Sequence, residues 1–202
     1  MRCDYSQAVR LAWFTPWPPQ TSGIAGQSAD IVPELAAAGH AVDVFVDERQ
    51  VPVRRDHDAG PPAPHAVRVQ SAHDFVWRVA RGQYDLTVYQ IGNSRVHEFI
   101  WPYLFRWPGL TVMHDCRVHH ARGRAYLSAK RADAYRREFA RNHPDVPADA
   151  AELAVRGFDG AYYYLWPMTR AIVAASRAVA VHTVGGVHDL RAELPGRARR
   201  GV

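Results

Sequence analysis

Lysine is nearly missing from this chain: Lys130 is the only one, so the 25 basic residues are almost all arginine. The formal net charge is +5, and the arginines are spread along the sequence, with a cluster only at Arg197, Arg199 and Arg200. Spread arginine reads as solvated faces and predicts no nucleic-acid partner. Cysteine is scarce too. Cys3 and Cys116 make no disulfide framework and fit a reducing compartment. No run approaches the ~18 apolar residues that a membrane span needs. Residues 1–10 hold no apolar signal segment, so the expected location is cytoplasmic. Three phosphate or nucleophile signatures are also missing. There is no G-x-G-x-x-G dinucleotide fingerprint, no G-K-[ST] phosphate loop and no G-x-S-x-G nucleophile elbow.

What is present is an ordinary globular composition, 48% hydrophobic and 22% charged over 202 residues, enough for a real core. Short apolar runs alternate with longer helical stretches. Strands are expected at Val9–Phe14, Ala41–Val46, Ala66–Val69, Tyr84–Ile91, Leu110–Met113 and Ala178–His182. Helical periodicity runs from Ile24 to Leu35, where Pro33 should kink the helix or delay its start. Further helices are expected from Ser71 to Arg81, Val96 to Arg106, Ala121 to Arg141, Ala148 to Arg156, Tyr164 to Ala175 and Val187 to Leu194. The Pro- and charge-rich stretch from Asp47 to His65 reads as an exposed, irregular connection. Strands joined by helical crossovers imply an α/β fold, a Rossmann-like doubly wound parallel sheet of at least six strands, here in one domain.

Such sheets bind ligands at the carboxyl ends of their strands, which selects four stretches. Ser22, Gly23, Ile24 and Gly26 end the first loop at a helix N-terminus, where backbone amides attract anions; the glycines could equally serve a tight turn and helix packing. Gly92-Asn93-Ser94 follows the fourth strand, and Asn93 or Ser94 could be a helix cap or a ligand contact. In the aromatic helix behind it, Phe99, Ile100, Tyr103 and Leu104 make an apolar face that reads mostly as core, while Trp101 and Trp107 lie off it. The helix could also form an amphipathic patch touching a membrane or lipid-linked substrate. His114 and Asp115 follow the fifth strand; they could satisfy each other or face a ligand. Cys116, His119 and His120 lie close by, but no zinc spacing is met, so no metal is expected. His182 and Thr183 follow the sixth strand.

Taken together, TPWPPQTSGIA with SADIVPELAAAGHAVDVFVD, YQIGNSRVHEFIWPYLFRWPGLTVMHD with VHH, and SRAVAVHTVGGVHDLRAELPG resemble the N-terminal domain of retaining GT-B glycosyltransferases. The likeness is to the glycogen-synthase-like bacterial group of family 4 type. The likeness runs from Val9 to about Gly196. It implies a hexosyltransferase that moves a sugar from a nucleotide-sugar donor to an acceptor, with no cofactor. It also implies that the amide of Gly23, flanked by Ser22 and Ile24, faces the donor diphosphate. His114 would approach the transferred sugar, and Asn93, Asp115, His182 and Thr183 would line the acceptor side of the cleft. The glutamate pair of that group's C-terminal donor-binding domain has no counterpart here, so the chain by itself is expected to be inactive. Gly26 and Gln27 stand where the group often has an acidic or aromatic residue. Two further expectations follow: a possible peripheral contact with the inner membrane face, and, as the alternative function, a stand-alone, non-catalytic binding module of the same fold.

Overall fold

The computed structural model describes residues 8–158 and 160–192. Cys3, the arginine cluster at 197–200 and the end of the last expected helix lie outside them. Six strands form an all-parallel sheet in the order β3-β2-β1-β4-β5-β6. They are β1 (Arg10–Phe14), β2 (Ala41–Val46), β3 (Val67–Ser71), β4 (Leu86–Ile91), β5 (Leu110–Met113) and β6 (Ala178–Val181). That is the Rossmann strand order, with the reversal at β1, which pairs with β2 on one side and β4 on the other. The chain divides into two compact units, Met1–Gln90 and Ile91–Val202, taken here in turn.

In the first unit β2 is buried along its whole length, as expected of a strand covered on both faces. Phe14, Phe45, Phe75 and Tyr89 form its aromatic core, with Phe14 stacked on Phe45 at 5.1 Å and edge-on to Phe75 at 4.8 Å. Helix α1 (Gly23–Ala37) starts at Ser22, whose hydroxyl accepts from the Ala25 amide at 3.0 Å. It runs unbroken through Pro33, against expectation. Pro33 lies on the exposed side, where the carbonyl it leaves unbonded can take water. Helix α2 (Ala72–Ala80) is capped by Ser71.

One buried polar group interrupts this core. Asp43, fully buried in the middle of β2, accepts from Arg68 at 2.6 Å, from the fully buried Arg78 at 3.1 Å and from the Tyr84 hydroxyl at 2.6 Å. Burial and the neighbouring carboxylate push the Tyr84 phenol above its ordinary range, so it stays a donor. The connection from Asp47 to His65 is irregular and mostly exposed, as expected, but it is pinned. Arg78 donates to the Asp56 carbonyl, Arg68 to that of Gly60, and buried Asp74 accepts from the Asp56 amide.

The second unit departs more from the sequence reading. The stretch before β5 is a 3-10 turn (Arg95–Ile100) followed by α3 (Trp101–Arg106), restarted at Pro102. The long helix expected over Ala121–Arg141 is a hairpin of α4 (His119–Leu127) and α5 (Ala132–Asn142), reversed at Lys130 with φ of 56°. Arg122 closes the hairpin. It donates to Glu138 at 2.6 Å and lies 4.0 Å from the centre of the Trp101 ring. Trp101 is therefore core, and of the large aromatics in α3 only Phe105 is substantially exposed. The remaining helices are α6 (Ala150–Val155), α7 (Ala161–Leu165), α8 (Arg170–Ala175) and α9 (Val184–Ala192). The helix expected over Tyr164–Ala175 is thus split, with Pro167 in the break.

Candidate functional site

Parallel register builds the centre of the second unit's strand ends. Leu110 pairs with Ala178 and Met113 with Val181, so the next residue of each strand, His114 and His182, stand side by side. Their rings lie 4.6 Å apart, with His114 Nδ1 and His182 Nε2 at 3.0 Å. One proton is shared across that contact, so at least one ring nitrogen must be unprotonated. Burial first, and then the neighbouring His182, lower the His114 pKa to about 4, with Asp115 acting in the opposite sense. His114 is therefore uncharged at neutral pH. The His114 amide donates to the Ile91 carbonyl at 2.9 Å, which fixes the backbone at the strand end.

Asp115 ties two loops together. Its carboxylate accepts from the Asn93 amide at 2.8 Å, so it joins the loop after β4 to the loop after β5. Asn93 caps a helix, but not the one that follows it: its side-chain oxygen accepts from the Ala121 amide at 2.9 Å, in the first turn of α4. Ser94, at the start of the 3-10 turn, makes no side-chain cap. Thr183 takes the cap of α9, accepting from the Gly186 amide at 3.0 Å.

Gly186 is a residue the sequence reading passed over. A Cβ there would stand 3.0 Å from Cys116 Sγ and 3.3 Å from Val181 Cβ, so the start of α9 approaches the strand-end loops only because this position is glycine. Burial raises the Cys116 thiol, leaving it protonated and a poor nucleophile at neutral pH. His119 is fully buried among Tyr135, Phe139, Tyr162 and Tyr163, with Nε2 at 2.8 Å from the Tyr135 hydroxyl. It belongs to the core and not to the His114 loop. Among the described residues no three His, Cys, Asp or Glu side chains gather closely enough to hold a metal ion.

In the first unit, Ser22, Gly23 and Ile24 follow β1. Buried Ser28 fixes α1 there by sharing a 2.8 Å hydrogen bond with Thr15, the residue after the strand. The Ser22 hydroxyl is committed to capping. The amides of Gly23 and Ile24 have no partner among the described residues, as the first turn of any helix leaves them. A Cβ on Gly23 or Gly26 would meet nothing within 4 Å, and neither has a positive φ. Packing and turn geometry therefore do not require glycine at either position. The space in front of Gly23 is open.

Among the described residues no helix is long and apolar enough to cross a membrane. Comparison of the chain with protein-family models, with curated proteins and with solved structures finds no match.

Proposed function

We propose that this chain is the acceptor-side, Rossmann-like domain of a retaining glycosyltransferase, which moves a sugar from a nucleotide-sugar donor to an acceptor. The observation that carries the reading is the His114–His182 pair at the carboxyl edges of adjacent strands, where doubly wound sheets hold their ligands. Transfer with retention and without a protein nucleophile develops positive charge on the sugar and negative charge on the departing diphosphate. A cationic residue beside that sugar would oppose the reaction. His114, held neutral with its pKa near 4, can hydrogen-bond a sugar hydroxyl without repelling the developing charge. In the first unit, taken by itself, the unpartnered amides of Gly23 and Ile24 are suited to an anionic group, as helix N-termini are.

Calorimetry with UDP- and GDP-sugars, alongside a donor-hydrolysis assay, tests the reading. The expected result is weak binding that His114→Ala reduces, with no turnover, because transfer needs donor and acceptor held together in one aligned geometry. Turnover by the chain itself would overturn the reading. So would binding that His114→Ala leaves unchanged.

A further inference from the structure

Helix α2 is built inside out. A helix lying on a sheet normally turns an apolar stripe inward and its charges to water. The charged residues of α2 are Asp74 and Arg78, and both are fully buried. Asp43 and the Asp56 carbonyl accept from the Arg78 guanidinium, and the Asp56 amide donates to Asp74. What α2 turns outward is His73, Val76, Trp77 and Ala80, spaced i, i+3, i+4 and i+7 and so on one face. Trp77 is 56% exposed and Val76 38%. The His57 ring meets the indole edge-on at 6.1 Å, and more than half of the tryptophan still faces water. An apolar stripe that the fold itself leaves uncovered marks a contact surface.

The chemistry of the face selects its occupant. A sugar or nucleobase stacked on an indole also needs polar groups at its rim, and the flanking Val76 and Ala80 offer none. A charged partner would find no counter-charge on the outward face between His73 and Arg81. A second copy of the chain fits on three grounds. Large Trp77 and small Ala80 stand one turn apart, so a two-fold axis between them puts each tryptophan over the other copy's alanine. That is the reciprocal contact an isologous dimer needs. A two-fold axis also sets the residues beside it close to their own kind, and Val76, Trp77 and Ala80 carry no charge to repel. Antiparallel pairing, finally, brings the N-terminal end of each α2 beside the C-terminal end of the other, so the helix dipoles attract. There the exposed Gly82, with φ of 65°, puts no side chain in the way.

We infer that α2 is a self-association surface, on which two copies of this chain pack α2 against α2, antiparallel about a two-fold axis, with Trp77 of each seated on Ala80 of the other. The face is one short helix, small against the roughly 1,200–2,000 Å² of a stable interface, so the dimer is weak and concentration-dependent. This inference does not depend on the glycosyltransferase reading.

The test is sedimentation equilibrium of the full chain from about 10 μM to 1 mM, the range of a weak interface. The expected result is a monomer–dimer equilibrium. Trp77→Arg and Ala80→Glu should each raise its dissociation constant at least about tenfold, the first by removing the anchoring indole and the second by filling its seat with a charge. Both positions are exposed, so circular dichroism should be unchanged. An equimolar mixture of the two variants should dimerise again, because each mixed pair keeps one Trp77–Ala80 contact and sets the new arginine against the new glutamate. A monomer throughout the concentration range would overturn the inference, as would self-association that both substitutions leave unchanged. Association that is lost with either variant but does not return on mixing would overturn the two-fold pairing of Trp77 with Ala80.

Discussion

Acid should unfold this protein at a higher pH than its carboxylates alone would allow. His119 and His143 are buried, at 0% and 7% exposure, and burial is the first cause that lowers each ring from the ordinary 6.5 to about 4. His143 Nε2 accepts from the Met168 amide at 3.3 Å, a bond that a protonated ring cannot make. His119 sits among aromatic rings, and the Trp166 backbone acts on it in the opposite sense to burial. Because the folded pKa of each lies below the unfolded one, the unfolded state binds more protons between about pH 6.5 and 4. The stability these rings contribute is complete above about 6.5 and is lost as pH falls toward 4. Each shift corresponds to about 3 kcal/mol, so together the two, at about 6 kcal/mol, match the lower end of the 5–15 kcal/mol that typically holds a domain together. Carboxylates whose pKa is lowered, such as Glu48 at about 2, act from about pH 4.5 downward and overlap only the foot of this window. Urea unfolding at several pH values between about 7 and 4.5 should show stability falling by up to about 4 kcal/mol per pH unit, three protons' worth, because the His114 ring is also lowered to about 4. His119→Phe should be less stable at neutral pH, having lost the Tyr135 bond, yet its slope should drop by one proton. A wild-type stability that stays flat across the window would refute the reasoning, as would a His119→Phe slope equal to wild type.

Three other outcomes follow from the structure. Asp43→Ala should cost about 3–5 kcal/mol, because it leaves the fully buried Arg78 without its counter-charge; chemical denaturation reads this directly. Gly186→Ala should cost about 1–3 kcal/mol through the 3.0 Å approach to Cys116 Sγ, and Cys116→Gly in the same chain should restore part of it in a thermal melt. Gly23→Ala should leave the melting temperature unchanged or slightly higher, since its Cβ meets nothing and alanine favours helix by up to about 1 kcal/mol. The same substitution should weaken binding of a nucleoside diphosphate sugar; an equal affinity would show that nothing approaches that amide.

Much of the strand pattern was legible because strands of a parallel sheet are covered on both faces and read as short apolar runs, AVDVFV and LTVM among them. The Asp inside AVDVFV was visible, but its three partners come from β3, α2 and the loop before β4 and could not be read from the run itself. The α4–α5 reversal carries no glycine or proline; it is made by Lys130 in a left-handed conformation and closed by Arg122 across the hairpin. Of the site, His114 and His182 were each visible as the polar residue ending a four-residue apolar strand. Their contact was not visible, because it depends on the β5–β6 register, which strand sequences alone do not state. Asn93 was rightly suspected of capping, but its helix lies 28 residues further along the chain.

The proposed donor site lies at the carboxyl ends of β5 and β6. Amide and imidazole NMR shifts of the labelled chain, followed as a UDP- or GDP-sugar is added, test it most directly. Saturable shifts are expected in the His114 and His182 rings, while the buried His119 ring stays still. Shifts confined to other residues, or none at concentrations where the sugar nucleotide is in large excess, would contradict it.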